Sequence, residues 1–497
     1  MPRKNLTEGL IPIQNFNLGG LSDSKFSGTE YSLYKLTGWD PHSTPGLLKV
    51  AQKLTAETTG VEPTELCKER VNSSNGAQYW FSATTGKIWE RPTTGTWRLV
   101  HTTTPAAGGA GCLGAREYHG YIYWATESRL HRITVANADD NDWATDAVED
   151  WKTFTNTDAS FHPMFETPGL TLYIGDANFV AQVDHADLAV GSEVFTADAL
   201  DIKTPLRIKS LGGYGTDLLI GTYVANTVTS TEIIRWNTWN TDTFQSSDPI
   251  PEVGVNAFLP GDNIVYAQCG VAGNIYVYNG EKLELWKKIP GDYSPTATAE
   301  VYPSSVANIG GDIYFGVSNI TGNPCDQGIY RIGRHSKNYK YILDFPYPIS
   351  ERLSGEFVVT GLNIGGLLAV GSDLYASWKN DAGADTFGLD KVDYTTKLDG
   401  AFFETMVMVI QREKFANFSQ AIVAYETLPA STDIDMYLDV NHGGMSATAL
   451  TTIDDADRNI IQTKDESIEF TTLRLKVKAT TSVNNGPTIE SAGVFIR

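Results

Sequence analysis

A short element, glycine followed within a few residues by aromatic and apolar β-formers, recurs seven times along the middle of the chain. It reads GAQYWFS from Gly76, GYIYWAT from Gly120, GLTLYIG from Gly169, GTDLLIG from Gly215, GDNIVYA from Gly261, GDIYFG from Gly311 and GSDLYAS from Gly371. Successive starts lie 44, 49, 46, 46, 50 and 60 residues apart. Each is followed by a second alternating run, such as GKIWER at Gly86, GNIYVYN at Gly273 and QGIYRIG at Gln327. Alternation with a period of two, bounded by Gly, Asn, Thr and Ser, predicts antiparallel hairpins. One hairpin per repeat of this length matches a four-stranded propeller blade, and a closed ring of blades leaves no long sheet edge exposed. The expected fold is therefore all-β, a seven-bladed β-propeller over residues 61–399. A tandem of unrelated β-sandwiches would also give short strands, but it has no reason to keep so regular a spacing.

Other patterns accompany the repeat and flank it. IKSLGG at Ile208, VANIGG at Val306 and GLNIGG at Gly361 precede three of the hairpins, where the innermost strand of a blade belongs. Glycine there suits positive φ and the close backbone approach of a crowded channel. Residues 400–497 hold five or six strand-like runs with polar turns, which predicts an antiparallel β-sandwich. Residues 1–60 show no helical periodicity and a Pro, Gly and Ser-rich passage from Trp39 to Gly46. They are expected to form an extended N-terminal arm that packs on a neighbour or supplies the strand closing the propeller.

Charge and cysteine usage narrow the partners. With 38 Lys and Arg against 59 Asp and Glu, the formal charge is −21, which repels phosphate backbones and anionic lipid. No nucleic acid partner is expected, and no apolar run reaches the roughly 18 residues of a membrane span. No apolar signal segment follows Met1-Pro-Arg-Lys, so the chain is expected to be made in cytoplasm. Cys67, Cys112, Cys269 and Cys325 contain no C-x-x-C pair and read as buried free thiols.

The search for chemistry yields little. Eight histidines are scattered without metal-ligand spacing, and no nucleophile elbow, P-loop or sialidase-type Asp-box is present. No catalytic residue or cofactor is assigned, and the expectation is a non-enzyme. Asp455, Asp457, Asn459 and Glu466 copy the ligand spacing of a calcium loop, but Ile460 takes the place of the required glycine. A solvated loop is the expected reading there, as it is for the acidic run Asp139-Asp140-Asn141-Asp142. Aromatics inside the repeats, such as Tyr123, Trp124, Tyr173 and Tyr314, should pack between blades. Trp236, Trp239, Tyr339 and Tyr341 fall in predicted loops and are the candidate contact residues.

The two ends carry a resemblance. The leader, Asn15-Phe16-Asn17-Leu18-Gly19-Gly20-Leu21-Ser22-Asp23-Ser24, then Ser32 to Asp40 and Pro45-Gly46-Leu47-Leu48, resembles the opening of propeller-bearing tailed-bacteriophage tail proteins. Phe418-Ser419-Gln420-Ala421-Ile422-Val423 and the closing Ile489 to Arg497 are similar to sandwich domains that end such proteins. The resemblance implies a virion structural component of a tail, tail tip or baseplate. Its implied partners are other virion proteins and copies of itself in a symmetric assembly. A receptor- or glycan-binding propeller protein, of the virion or a bacterial surface, is the alternative, with a host-surface glycan or protein as partner.

Overall fold

A computed structural model describes residues 9–496 apart from 27, 29–30, 58–59, 61, 105–110, 140–141, 188, 225–230, 240–242, 350–360, 382–383, 410–415, 455–460 and 463–467. The described chain is all-β, with many four-stranded antiparallel sheets in a propeller-like arrangement. Six predicted hairpins each supply the two middle strands of one such sheet, as Gln78–Ser82 with Lys87–Arg91 and Tyr121–Ala125 with Arg129–Thr134 do, and the remaining one, Asp312–Thr321 with Gly328–Gly333, lies in a larger sheet of eleven strands. The second strands are largely apolar because both of their faces are covered: Gln78–Ser82, Tyr121–Ala125, Leu172–Asp176 and Val265–Cys269 are buried at every position.

The first strands of successive sheets touch in a cycle. Cys67–Asn72 meets Gly114–Tyr118, which meets Met164–Glu166, followed by Leu206–Tyr214, Val255–Pro260, Val306–Ile309 and Leu362–Val370. Leu362–Val370 then returns to Cys67–Asn72. The doubled glycines on these strands serve different ends. Gly310 and Gly311, with φ of 63° and 94°, form the two-residue turn between Ile309 and Asp312. At Gly365, by contrast, a Cβ would stand 2.2 Å from the Cys67 carbonyl oxygen of the adjoining sheet.

The last sheet of the cycle is completed from the opposite end of the chain. Gln52–Ala56 pairs antiparallel with Thr386–Lys397 as its fourth strand. Leu54, 2% exposed, sits at this seam in a core with Val392 and Ile364. Leu54→Asp is expected to lose about 3–5 kcal/mol, read as a lower denaturant midpoint, through a lost apolar contact and a buried charge. An unchanged midpoint would show that the seam carries no stability.

Of the two roles expected of the arm over 1–60, Gln52–Ala56 supplies a strand to the last sheet, and the other described strands of the arm also pair within the chain. Gly9–Ile13 and Leu48–Val50 both pair with Thr488–Ile496. Leu33–Thr37 pairs with Phe402–Thr405 and reaches Ile342–Pro348 of the propeller-like region through a parallel bridge. The physical reason is the leader's apolar content: Phe16, Leu33, Leu36, Trp39 and Leu48 are all at most 2% exposed. An arm in solution would leave them in water.

The C-terminal strands therefore fold together with the leader. One sheet runs Trp39–Asp40, Leu48–Val50, Thr488–Ile496, Ala416–Tyr425 and Ile461–Gln462. The other runs Leu33–Thr37, Phe402–Thr405, Thr472–Thr480, Asp433–Val440 and Thr451–Ile453. Alternate residues of both point into one core, with Phe418, Val423 and Val494 from the first and Phe403, Met436 and Leu475 from the second. That core continues through Phe315, Phe345 and Tyr266 into the propeller-like sheets.

Candidate functional site

Three of the first strands carry a β-bulge where one residue is skipped in the pairing. Cys67 and Glu69 pair across Lys68, Ile208 and Ser210 across Lys209, and Val255 and Ala257 across Asn256. A bulge frees the extra residue from the pleat and re-aims its side chain. The side chains of Lys209 and Asn256 meet each other and Glu300, and Lys68 stands over the Tyr302 ring of the segment Glu300–Ser305.

That segment is tied to the surrounding sheets. Lys209 Nζ donates to Glu300 Oε2 and to Asn256 Oδ1, both at 2.7 Å. Asn256 Nδ2 donates to Gln268 Oε1 at 2.7 Å, and Gln268 Oε1 also accepts the Val301 N–H at 3.1 Å. Ser304 Oγ donates to the Lys68 carbonyl, and the Leu367 N–H donates to the Ser304 carbonyl at 3.1 Å. Arg70 donates from Nη2 to the Val306 carbonyl at 2.9 Å.

Beside this segment lies a pocket of about 60 Å³, lined by Lys68, Glu69, Leu113, Phe161, Pro163, Tyr302 and Ser304 among others. Lys68 Nζ stands 4.0 Å from the Tyr302 ring centroid, and Lys209 Nζ stands 5.2 Å from that of Phe161. Burial pushes the Glu69 carboxyl up to about 7 against the opposing pull of the Arg70 guanidinium. Burial likewise lowers the Lys68 ammonium; the charge of Lys209 adds to this, and that of Glu300 opposes it. The arrangement is a small pocket with aromatic walls, an ammonium and a carboxyl group that titrates near neutrality.

A second cleft, of about 210 Å³, opens where the leader meets the propeller-like sheets. Tyr34, Asp292, Asn323 and a Lys35–Asp326 ion pair at 3.2 Å line it.

The four sequence-predicted contact residues do not converge. Trp236 ends the strand Thr231–Trp236, is 0% exposed and meets the Tyr173 ring edge-on at 5.3 Å. It is a core residue and not a loop contact, because strand alternation turns it inward. Trp239, three positions on, lies beyond the strand end and is 91% exposed. Tyr339 is half-buried against His335, and Tyr341 is buried beneath the Arg334 guanidinium at 4.4 Å. Tyr341 is likewise corrected from contact surface to packing.

The calcium candidates Asp455, Asp457, Asn459 and Glu466 lie outside the described residues. No group of three or more metal-ligating side chains occurs among the described residues. All four cysteines are free and buried.

No protein-family model matches the chain. No curated protein sequence matches it either. Its fold is similar to that of several solved structures. The extracellular domain of a putative hybrid two component system from B. thetaiotaomicron is 13% identical with a TM-score of 0.43, over 79% of this chain and 45% of that one. This chain thus spans less than half the length of that domain. Virginiamycin B lyase from Staphylococcus aureus is 12% identical with a TM-score of 0.44, over 69% of this chain and 99% of that one. An exo-beta-1,3-galactanase from Phanerochaete chrysosporium is 7% identical with a TM-score of 0.30, over 90% of this chain and all of that one. At these levels the likenesses assign no activity. Two of the three are enzymes, so the expectation of a non-enzyme is withdrawn, although no activity passes from them to this chain.

Proposed function

We propose that the chain is a structural component of a tailed-phage virion, in the tail, tail tip or baseplate. It works by protein–protein assembly with other virion proteins and with copies of itself. The scaffold in this reading is a seven-bladed β-propeller closed by Gln52–Ala56, bearing a C-terminal β-sandwich into which the leader is woven. One observation carries the proposal. The segments that resemble tail proteins stand at opposite ends of the sequence, yet they meet in one sheet, where Leu48 pairs with Ile489. The resemblance thus falls on one folded unit, as a shared attachment module requires.

Because the leader is consumed within its own chain from Gly9 onward, assembly in this reading uses folded surfaces. The test is mass spectrometry and electron cryomicroscopy of purified particles from cells producing the chain. A fixed copy number with symmetric density is expected. Absence from washed particles would overturn the proposal.

The exposure of Trp239 favours a second reading, attachment to a host-surface glycan or protein. Trp239→Ala is expected to leave stability within about 0.5 kcal/mol of the original while reducing particle adsorption to host cells. Unchanged adsorption would remove this reading.

A further inference from the structure

Lys68 lines the small pocket beside Glu300–Ser305 without an ion-pair partner among the described residues. Among the described residues its ammonium has no hydrogen-bond or ion-pair partner, and it stands over the face of Tyr302 at 4.0 Å. Of the nearby carboxylates, Glu300 is held by Lys209 at 2.7 Å, and Glu69 forms no ion pair with Lys68 among the described residues. Three cations thus face two carboxylates, in a chain whose net charge is −21. An ammonium drawn out of bulk water stays costly until a negative group pairs with it.

The space available limits the partner. A pocket of about 60 Å³ has room for roughly four waters, which is also the room that a carboxylate and its adjoining carbon need. Leu113, Pro163 and the Phe161 ring give the remaining wall an apolar character, and exposed Ser160 lies at the mouth.

We propose that this pocket binds a carboxylate-bearing small molecule, with the carboxylate on Lys68 Nζ and the adjoining carbon skeleton against the Phe161 and Tyr302 rings. The ligand is a free organic acid or the uronic-acid end of a saccharide. Both present the same group to Lys68. The saccharide would add ring contacts to Phe161 and hydroxyl contacts to Ser160.

Isothermal titration of the full chain with acetate, D-glucuronate and D-glucose at low salt tests this. Both carboxylates are expected to bind and glucose is not. Lys68→Gln should weaken carboxylate binding at least ~10-fold, whereas Lys282→Gln, at an exposed lysine on a hairpin turn, should not. Equal affinity for acetate and glucuronate identifies a small acid. Glucuronate bound ~10-fold tighter, with the advantage lost in Phe161→Ala, identifies a uronic-acid end.

Failure of both carboxylates to bind, glucose binding as tightly as glucuronate, or Lys68→Gln binding like the original chain would each overturn the proposal. Should Lys68→Gln not fold, Lys68→Arg decides in its place. It keeps the charge and is expected to bind acetate, and loss of binding in a folded Lys68→Arg counts against the site. None of these results depends on whether the chain is found in particles.

Discussion

Arg331→Met is expected to cost about 3–5 kcal/mol of stability, because it strips the shared partner from carboxylates held around one buried guanidinium. Arg331 is 6% exposed, and its Nη2 lies 2.6 Å from Asp344 Oδ2 and 2.8 Å from Asp40 Oδ1. Asp312 Oδ2 approaches Nη1 at 3.7 Å. Asp344 is 0% exposed and has little water to replace the lost cation.

Asp40 belongs to the leader, whereas Arg331, Asp312 and Asp344 belong to one propeller-like sheet, so the guanidinium fastens the leader to that sheet. Burial alone would raise the Asp40 carboxyl, but Arg331 overrides it and holds the group at about 2. An acid whose pKa is depressed on folding adds stability above its unfolded pKa, near 3.8, and loses it as pH falls toward 2. In Arg331→Met the denaturant midpoint at pH 7 should fall, and this acid-sensitive increment of about 2 kcal/mol should vanish with it. Arg331→Met combined with Asp344→Asn should recover part of the loss, since the stranded charge is then gone. A single-variant loss under about 1 kcal/mol would show that water reaches the cluster.

The distance in sequence between the partners explains why most of the leader's pairing is not legible locally. Trp39, Leu48 and Leu54 find their partners in Phe403, Ile489 and Val392, hundreds of residues away, and no local pattern announces a pairing of that kind. Its Pro, Gly and Ser content predicted an extended chain, and extended it is, but as short strands in other segments' sheets. The hairpins were legible for the opposite reason. Their strands pair with the next element in sequence, and burial of both faces produces unbroken apolar runs such as Tyr79-Trp80-Phe81.

The small pocket beside Glu300–Ser305 stayed hidden because its residues sit where the regular pattern breaks. Lys68, Lys209 and Asn256 are the skipped residues of three bulges, and a period-two reading treats each as an outward-facing strand residue. The run Lys68-Glu69-Arg70 at the start of a first strand was the available signal: charges of both signs in an inner strand have no apolar core to join. Trp236 shows the converse error. Two tryptophans in the run Arg235 to Asn240 look alike as residue types, but the strand ends between them, so one is fully buried and the other 91% exposed.

Glu69→Gln is expected to stabilise the chain at pH 8 and leave it unchanged near pH 4.5. Burial dominates the Glu69 environment and raises its carboxyl to about 7, although Arg70, Lys68 and hydrogen bonds involving Ser304 and the Ala115 N–H all favour the charged form. For an acid whose pKa rises on folding, the folded state holds the proton more tightly than the unfolded chain. Below the ordinary value of 4.5 both states are protonated and the group has no effect on stability. As pH climbs to 7 the unfolded chain ionises freely while the folded chain resists, so stability declines across that window and stays lowered above it. Glutamine keeps the side chain's shape and two of its polar atoms but never ionises. The gain at pH 8 should be about 2 kcal/mol, less than the full shift implies because Glu69 retains some surface on the pocket. Denaturant midpoints of both chains at pH 4.5 and pH 8 check the sign directly. A variant less stable than the original at pH 8 would mean that the attraction of the Arg70 charge outweighs the burial of the carboxylate.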